Sequence, residues 1–212
     1  NWKILEDSYT DYIMDYARLA EKLQVEIFCI GTELDKFIQN RKSFWDGLIK
    51  QIKTAYSGKL TYAANWDEYK RVPFWNDLDL IGIDAYFPLS ENKTPSVEDC
   101  REGWKKYKPD IEALADREGK PVLFTEFGYR SLDFAAREPW RSERSLLGVN
   151  HQAQINATQA LFDEFWGEHW FAGGFVWKWF HDGSWIDPEE NNRFSPQNKP
   201  AEAIIRTVYM QY

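Results

Sequence analysis

Only two cysteines occur in the sequence, Cys29 and Cys100, with neither CxxC spacing nor a neighbouring histidine. That pattern excludes a thiolate metal centre and a disulfide framework, and leaves two buried free thiols as the expected state. Histidines number three and none has ligand spacing, so no metal site is expected. No stretch of eighteen apolar residues exists, so nothing in this sequence reads as a membrane span. Lys and Arg form no run, and the formal charge is −8, which argues against nucleic acid or another polyanion as partner. No signal-peptide pattern precedes the first helix and the first residue is Asn1 rather than Met, so the natural start is expected to lie upstream. Low-complexity tracts and linkers are also missing, which makes one domain the default for 212 residues.

Aromatic residues, by contrast, are abundant. Eleven Trp, eleven Tyr and fourteen Phe make 17% of the chain, more than a core of this size normally calls for, so some of these rings are expected to face a ligand. With little cationic clustering, that ligand is expected to be neutral.

Short apolar runs alternate with helical patterns, the signature of βα units around a parallel sheet. The spacing predicts helices over 8–23, 42–56, 97–119, 152–166 and 201–209, and strands over 25–30, 60–64, 80–85, 121–125 and 174–177. Between the fourth strand and the next helix, residues 127–150 show no clear period, and an aperiodic segment that long in a compact domain is expected to be functional. It is expected to border the ligand site through Tyr129, Arg130 or Trp140. Five βα units are too few for an eight-stranded barrel of roughly 200–250 residues. Either further units precede this sequence, or the sheet is open.

Ligands of parallel α/β folds bind beyond the C-terminal ends of the strands, so the residues that follow each run carry the most information. Here they are Gly31-Thr32-Glu33, then Asn65-Trp66-Asp67-Glu68, Asp84-Ala85-Tyr86, Glu126 to Arg130, and Trp177-Lys178-Trp179. A single glutamate after a strand is most often a surface ion-pair member. Two such glutamates, with Trp and Tyr on the strand ends between and beside them, point instead to the paired carboxylates of glycoside hydrolysis. Asp84 reads as a hydrogen-bond acceptor at a strand end, and Arg130 as an ion-pair partner of Asp84 or Glu126. His181, in the polar loop after the last strand, is the only histidine placed to contact substrate.

The segments FCIGTEL (28–34), LTYAANWDE (60–68), IGIDAYFPL (81–89), FTEFGYRS (124–131) and FSPQNKPA (194–201) resemble glycoside hydrolase family 113, a clan A family of β-mannanases, and the similarity runs through essentially the whole chain. The resemblance implies a TIM (β/α)8 barrel, of which residues 1–212 cover about the C-terminal five βα units (barrel strands 4–8) of one catalytic domain. It implies a retaining endo-acting hydrolase of β-1,4-mannan-type polysaccharide, with Glu33 as acid/base and Glu126 as nucleophile, no cofactor, and a pKa raised at Glu33 relative to Glu126. Asn65, Trp66, Tyr86, Tyr129, Arg130, Trp177 and Trp179 are the expected substrate-binding residues, with Tyr86 also a hydrogen-bond donor to Glu126. One position departs from the pattern: much of clan A has Asn before the acid/base, where this chain has Thr32. Two other readings fit the same residues, a clan A enzyme acting on glucan, xylan or galactan, and a barrel that binds carbohydrate without turnover. A polysaccharide substrate implies an extracellular, cell-surface or periplasmic location.

Overall fold

The computed structural model describes residues 1–143, 145 and 147–211; positions 144 and 146 of the aperiodic segment lie outside the described residues. Five strands form one sheet: β1 (Ile27–Thr32), β2 (Lys59–Asn65), β3 (Ile81–Asp84), β4 (Val122–Phe127) and β5 (Phe171–Val176). All four pairings are parallel and the spatial order is the chain order, β1-β2-β3-β4-β5. A sheet wound in one direction, with α-helices after β1, β3, β4 and β5 and two short 3-10 turns (Tyr69–Arg71 and Trp75–Asp77) after β2, is the arrangement of consecutive units of a (β/α)8 barrel. The strands at its two ends, β1 and β5, each pair on one side only.

Among the described residues seven α-helices accompany the sheet: α1 (Trp2–Lys22), α2 (Asp35–Asn40), α3 (Lys42–Ala55), α4 (Val97–Trp104), α5 (Lys108–Glu118), α6 (His151–Phe165) and α7 (Pro200–Tyr209). In α1 the buried Ile13, Met14, Ala17 and Ala20 form the inward stripe. This helix begins six residues before the start at residue 8 that the spacing predicts, where Ser8 or Asp7 reads as a cap. The Ser8 hydroxyl turns back to donate to the Leu5 carbonyl at 3.1 Å, and Trp2 stacks on Phe37 with centroids 5.7 Å apart. A serine that bonds the preceding turn no longer caps.

The single helix expected over 97–119 is two. A capping box between Ser96 and Asp99 starts α4 as the sequence suggests, but the chain breaks after Trp104 and α5 restarts with Pro109 in its first turn. Proline has no N–H to donate and its ring collides with the carbonyl four residues back, so it is tolerated only at a helix start. Gly119, at φ +63°, then ends α5 in the left-handed conformation that favours glycine.

Most of the aromatic excess is structural. Tyr9, Phe37, Trp45, Tyr62 and Phe74 pack edge-to-face and stacked beneath β1 and β2, with centroid separations of 5.3–6.0 Å. Trp104, Phe124, Phe165 and Phe171 form a second cluster between β4 and the helices. Cys29 and Cys100 are both free thiols, Cys100 fully buried with its pKa pushed up to about 12 by that burial. Among the described residues no helix is long and apolar enough to cross a membrane.

Candidate active site

The C-terminal ends of the five strands surround a cleft of about 550 Å³ lined by Glu33, Asn65, Trp66, Asp67, Tyr86, Glu126, Trp140, Ser142, Trp177 and Phe194. Each strand contributes in turn. Glu33 follows β1 directly, and its backbone N–H extends the ladder by donating to the Ala63 carbonyl at 2.9 Å. Its φ of +51° is unusual for a side chain with a Cβ and costs energy that the surroundings must supply. The Tyr62 hydroxyl supplies part of it, accepting from the Leu34 N–H at 2.6 Å and fixing the turn that aims the glutamate into the cleft.

From β2, the Asn65 side-chain oxygen accepts from the Trp66 N–H at 2.8 Å, which holds the turn carrying Trp66 and Asp67. The Trp66 ring lies against Trp140, with centroids 5.3 Å apart and planes 20° apart. Trp140 is thus the contact that the aperiodic segment delivers to the cleft, and Ser142 accompanies it.

Glu126 sits near the end of β4, in register with Asp84 of β3, and its carbonyl accepts from the Ala85 N–H at 2.7 Å. The buried Tyr86 hydroxyl donates to Glu126 Oε2 at 2.7 Å. Two residues on, Gly128 passes so close to β5 that a Cβ there would stand 2.0 Å from the Trp177 carbonyl oxygen. The Trp177 N–H donates to the Phe127 carbonyl at 2.7 Å, so β4 directly sets the height of the Trp177 ring. The Trp177–Lys178 peptide is cis.

The two glutamates feel different surroundings. Desolvation raises the pKa of Glu33, and the negative charges of Glu126 and Asp67 push it further up. Desolvation raises Glu126 as well, but there the Tyr86 hydrogen bond opposes it by stabilising the carboxylate. One carboxyl is therefore surrounded by influences that favour its proton, and the other holds a donor that favours its charge. No Lys or Arg lines the cleft among the described residues. Nor do those residues hold a group of three or more His, Cys, Asp or Glu side chains able to bind a metal.

Of the expected substrate-binding residues, Asn65, Trp66, Tyr86 and Trp177 meet in this cleft, while Tyr129, Arg130 and Trp179 lie elsewhere. The Tyr129 ring is fully buried, turned into the core behind β4. Arg130 pairs with neither Asp84 nor Glu126. Its guanidinium donates to the Glu143 carbonyl at 2.9 Å, the Asn192 carbonyl at 3.3 Å and Asn192 Oδ1 at 3.2 Å, tying the aperiodic segment to the loop after β5. Trp179 lines a separate apolar groove with Phe175, Ile205 and Tyr209. His181, exposed in that loop, is not among the cleft residues. Asp67, Ser142 and Phe194 were not expected there. Asp67 and Phe194 fall inside segments that the sequence already marks, whereas Ser142 carries no signal of its own.

The sequence profile of Glycoside Hydrolase Family 113 matches residues 1–199, and the chain belongs to that family. A solved complex of a family 113 β-1,4-mannanase is similar over all of this chain, with TM-score 0.86 and 27% identity. The family 113 β-mannanase of Alicyclobacillus acidocaldarius, solved in complex with ManMIm, has TM-score 0.82 and 27% identity over the same span. This chain covers 64% of the length of each of those two chains. A β-glucuronidase of Faecalibacterium prausnitzii, at 16% identity and TM-score 0.68 over 97% of this chain and 35% of its own, shares the fold. No curated protein matches the chain at a significant level.

Proposed function

We propose that this member of family 113 carries the catalytic centre of a retaining endo-β-1,4-mannanase, with Glu126 as nucleophile and Glu33 as acid/base. The observation that supports the reading best is the pair of carboxyls in one aromatic-lined cleft, where only Glu126 holds the Tyr86 hydroxyl at 2.7 Å. The hydroxyl keeps Glu126 charged and aimed for attack on the anomeric carbon. Glu33, raised by burial and by its acidic neighbours, protonates the departing glycosidic oxygen. Once the covalent glycosyl-enzyme has formed, Glu33 is a carboxylate and takes a proton from water, which releases the sugar with its configuration retained.

Trp177 offers a flat face on which a pyranose ring stacks, and the stacked Trp140 and Trp66 offer further aromatic surface in the same cleft. An open cleft lined by several aromatic residues suits a site that grips a chain internally rather than at its end. A cleft with three carboxylates and no described cation suits neutral sugars and opposes uronic acids. The preference for mannose rests on the likeness to the solved family 113 mannanases. A polymer of that kind places the reaction outside the cytoplasm, in the medium, at the cell surface or in the periplasm. The test is hydrolysis by the full-length protein of β-1,4-mannan set beside cellulose, xylan and galactan. Release of manno-oligosaccharides of mixed length is the expected result, and turnover of one of the other polymers with mannan left intact would replace the substrate assignment.

A further inference from the structure

The geometry points to Asp84 as a positioning residue that works in its neutral, protonated form, anchoring Thr125 next to Glu126 without adding another negative charge to the cleft floor. The inference rests on the proposed roles of Glu126 and Glu33.

Asp84 is the last residue of β3 and the register partner of Glu126, at a point where the β3–β4 ladder is irregular. Its side chain is 0% exposed. Oδ1 accepts from the Thr125 hydroxyl at 2.7 Å, and Oδ2 is buried with no hydrogen-bond partner among the described residues. The titratable groups that face it are Glu126 on β4, Glu33 and the Cys29 thiol on and after β1, and the Tyr86 hydroxyl just beyond its own strand. None is a cation, and no ion pair among the described residues includes Asp84. A carboxylate buried without a counter-charge gives up its charge by taking a proton. Burial accordingly pushes the Asp84 pKa up to about 8, against the Thr125 hydrogen bond and helped by the Glu126 and Glu33 charges.

The consequence concerns the nucleophile. A charged Asp84 would raise the pKa of Glu126 and so oppose the ionised form that attacks. A neutral Asp84 still fixes the Thr125 side chain, and through it the stretch of β4 that carries Glu126. Asparagine reproduces both properties, since it is uncharged at every pH and keeps an oxygen for the Thr125 hydroxyl.

Two variants of the full-length protein test this on manno-oligosaccharide. Asp84→Asn is expected to keep kcat/KM within about threefold, well inside what one lost hydrogen bond causes. Both limbs of its pH profile below pH 8 are expected to coincide with those of the wild type. Thr125→Val, which removes the donor, is expected to lower kcat about fivefold to tenfold at nearly unchanged KM. A fall of either limb by ~1 unit in Asp84→Asn would show that a negative charge had been removed, and would overturn the neutral form. Wild-type kcat in Thr125→Val would overturn the positioning role. Carboxyl NMR on protein labelled at aspartate, without substrate, supplies a readout independent of turnover. One resonance should stay protonated at pH 7 and vanish in Asp84→Asn, and no such resonance would also refute the proposal. A wild type with no activity on any β-glycan, yet with that resonance present, would sink the hydrolase reading and leave the protonation standing.

Discussion

The hydroxyl of Tyr86 stands 2.7 Å from Glu126 Oε2 and donates to it, joining the ends of two neighbouring strands across the floor of the cleft. Removing that donor in Tyr86→Phe leaves the burial of Glu126 unopposed, so its pKa rises further. The acid limb of the kcat/KM profile should therefore move to higher pH, and kcat/KM below the optimum should fall by about tenfold or more, as for other hydrogen bonds to charged groups. Initial rates across pH, fitted for both limbs, check the direction. A limb that moves down, or stays in place, would remove Tyr86 from this role.

Trp140 and Trp177 line the cleft while Trp179, expected from the sequence to bind substrate with Trp177, lies in a different groove. Trp177→Ala and Trp140→Ala should each raise KM for manno-oligosaccharides by up to about tenfold through loss of a stacking face. Trp179→Ala should leave KM alone. Steady-state kinetics on the three variants decide the matter, and a KM effect confined to Trp179 would relocate the substrate.

Gly128 is required by the close approach of β4 to β5. In Gly128→Ala the new methyl meets a backbone oxygen, which cannot rotate away as a side chain would, so the strands must part. Destabilisation of about 1–3 kcal/mol is expected, together with a higher KM as Trp177 shifts. Denaturant unfolding and kinetics on the same preparation measure both, and an unchanged midpoint would contradict the contact.

Asp84 also gives stability a pH dependence. Its folded pKa of about 8 lies above the ordinary aspartate value of 3.8, so between those values the folded state holds a proton that the unfolded chain has lost. The stability that this group contributes is full below about 4 and is lost as pH rises towards 8. Asp84→Asn should flatten that part of the profile. Thermal midpoints from pH 4 to pH 9 test it, and parallel curves for the two proteins would argue that Asp84 is ionised when folded.

Much of this arrangement is legible in the sequence. The two glutamates, Asn65, Trp66, Tyr86 and Trp177 are legible because a parallel sheet presents its strand ends to one side, so that the residues after each apolar run must meet. Strand positions within a residue or two are not. The start of β5 at Phe171 is hidden by Gly173 and Gly174, which interrupt the apolar pattern while the backbone pairing continues. Direction at a strand end is not legible either. Tyr129 and Trp177 both follow strands, yet one turns into the core and the other into the cleft. Arg130 looks like a ligand of the nearby carboxylates, but its partners are carbonyls and an amide up to 62 residues away, and nothing local announces them. Trp140 and Ser142 come from a segment without a period, where only the length gives warning.

Separate roles for the two carboxyls follow from their surroundings and are tested by exchanging each for alanine. Glu126→Ala should abolish turnover, with azide restoring product as the glycosyl azide of inverted configuration. Glu33→Ala should lose about 10²–10⁴-fold on mannan yet form the glycosyl-enzyme readily from an aryl mannoside with a good leaving group, which needs no proton. Azide should then give the retained product. Exchange of these two outcomes would exchange the two roles.

Double displacement is read from NMR of the first product that wild-type enzyme releases from manno-oligosaccharide, recorded before mutarotation. Two inversions predict the β-anomer at the new reducing end. Appearance of the α-anomer first would mean that water attacks directly, and would contradict the assignment of Glu126 as nucleophile.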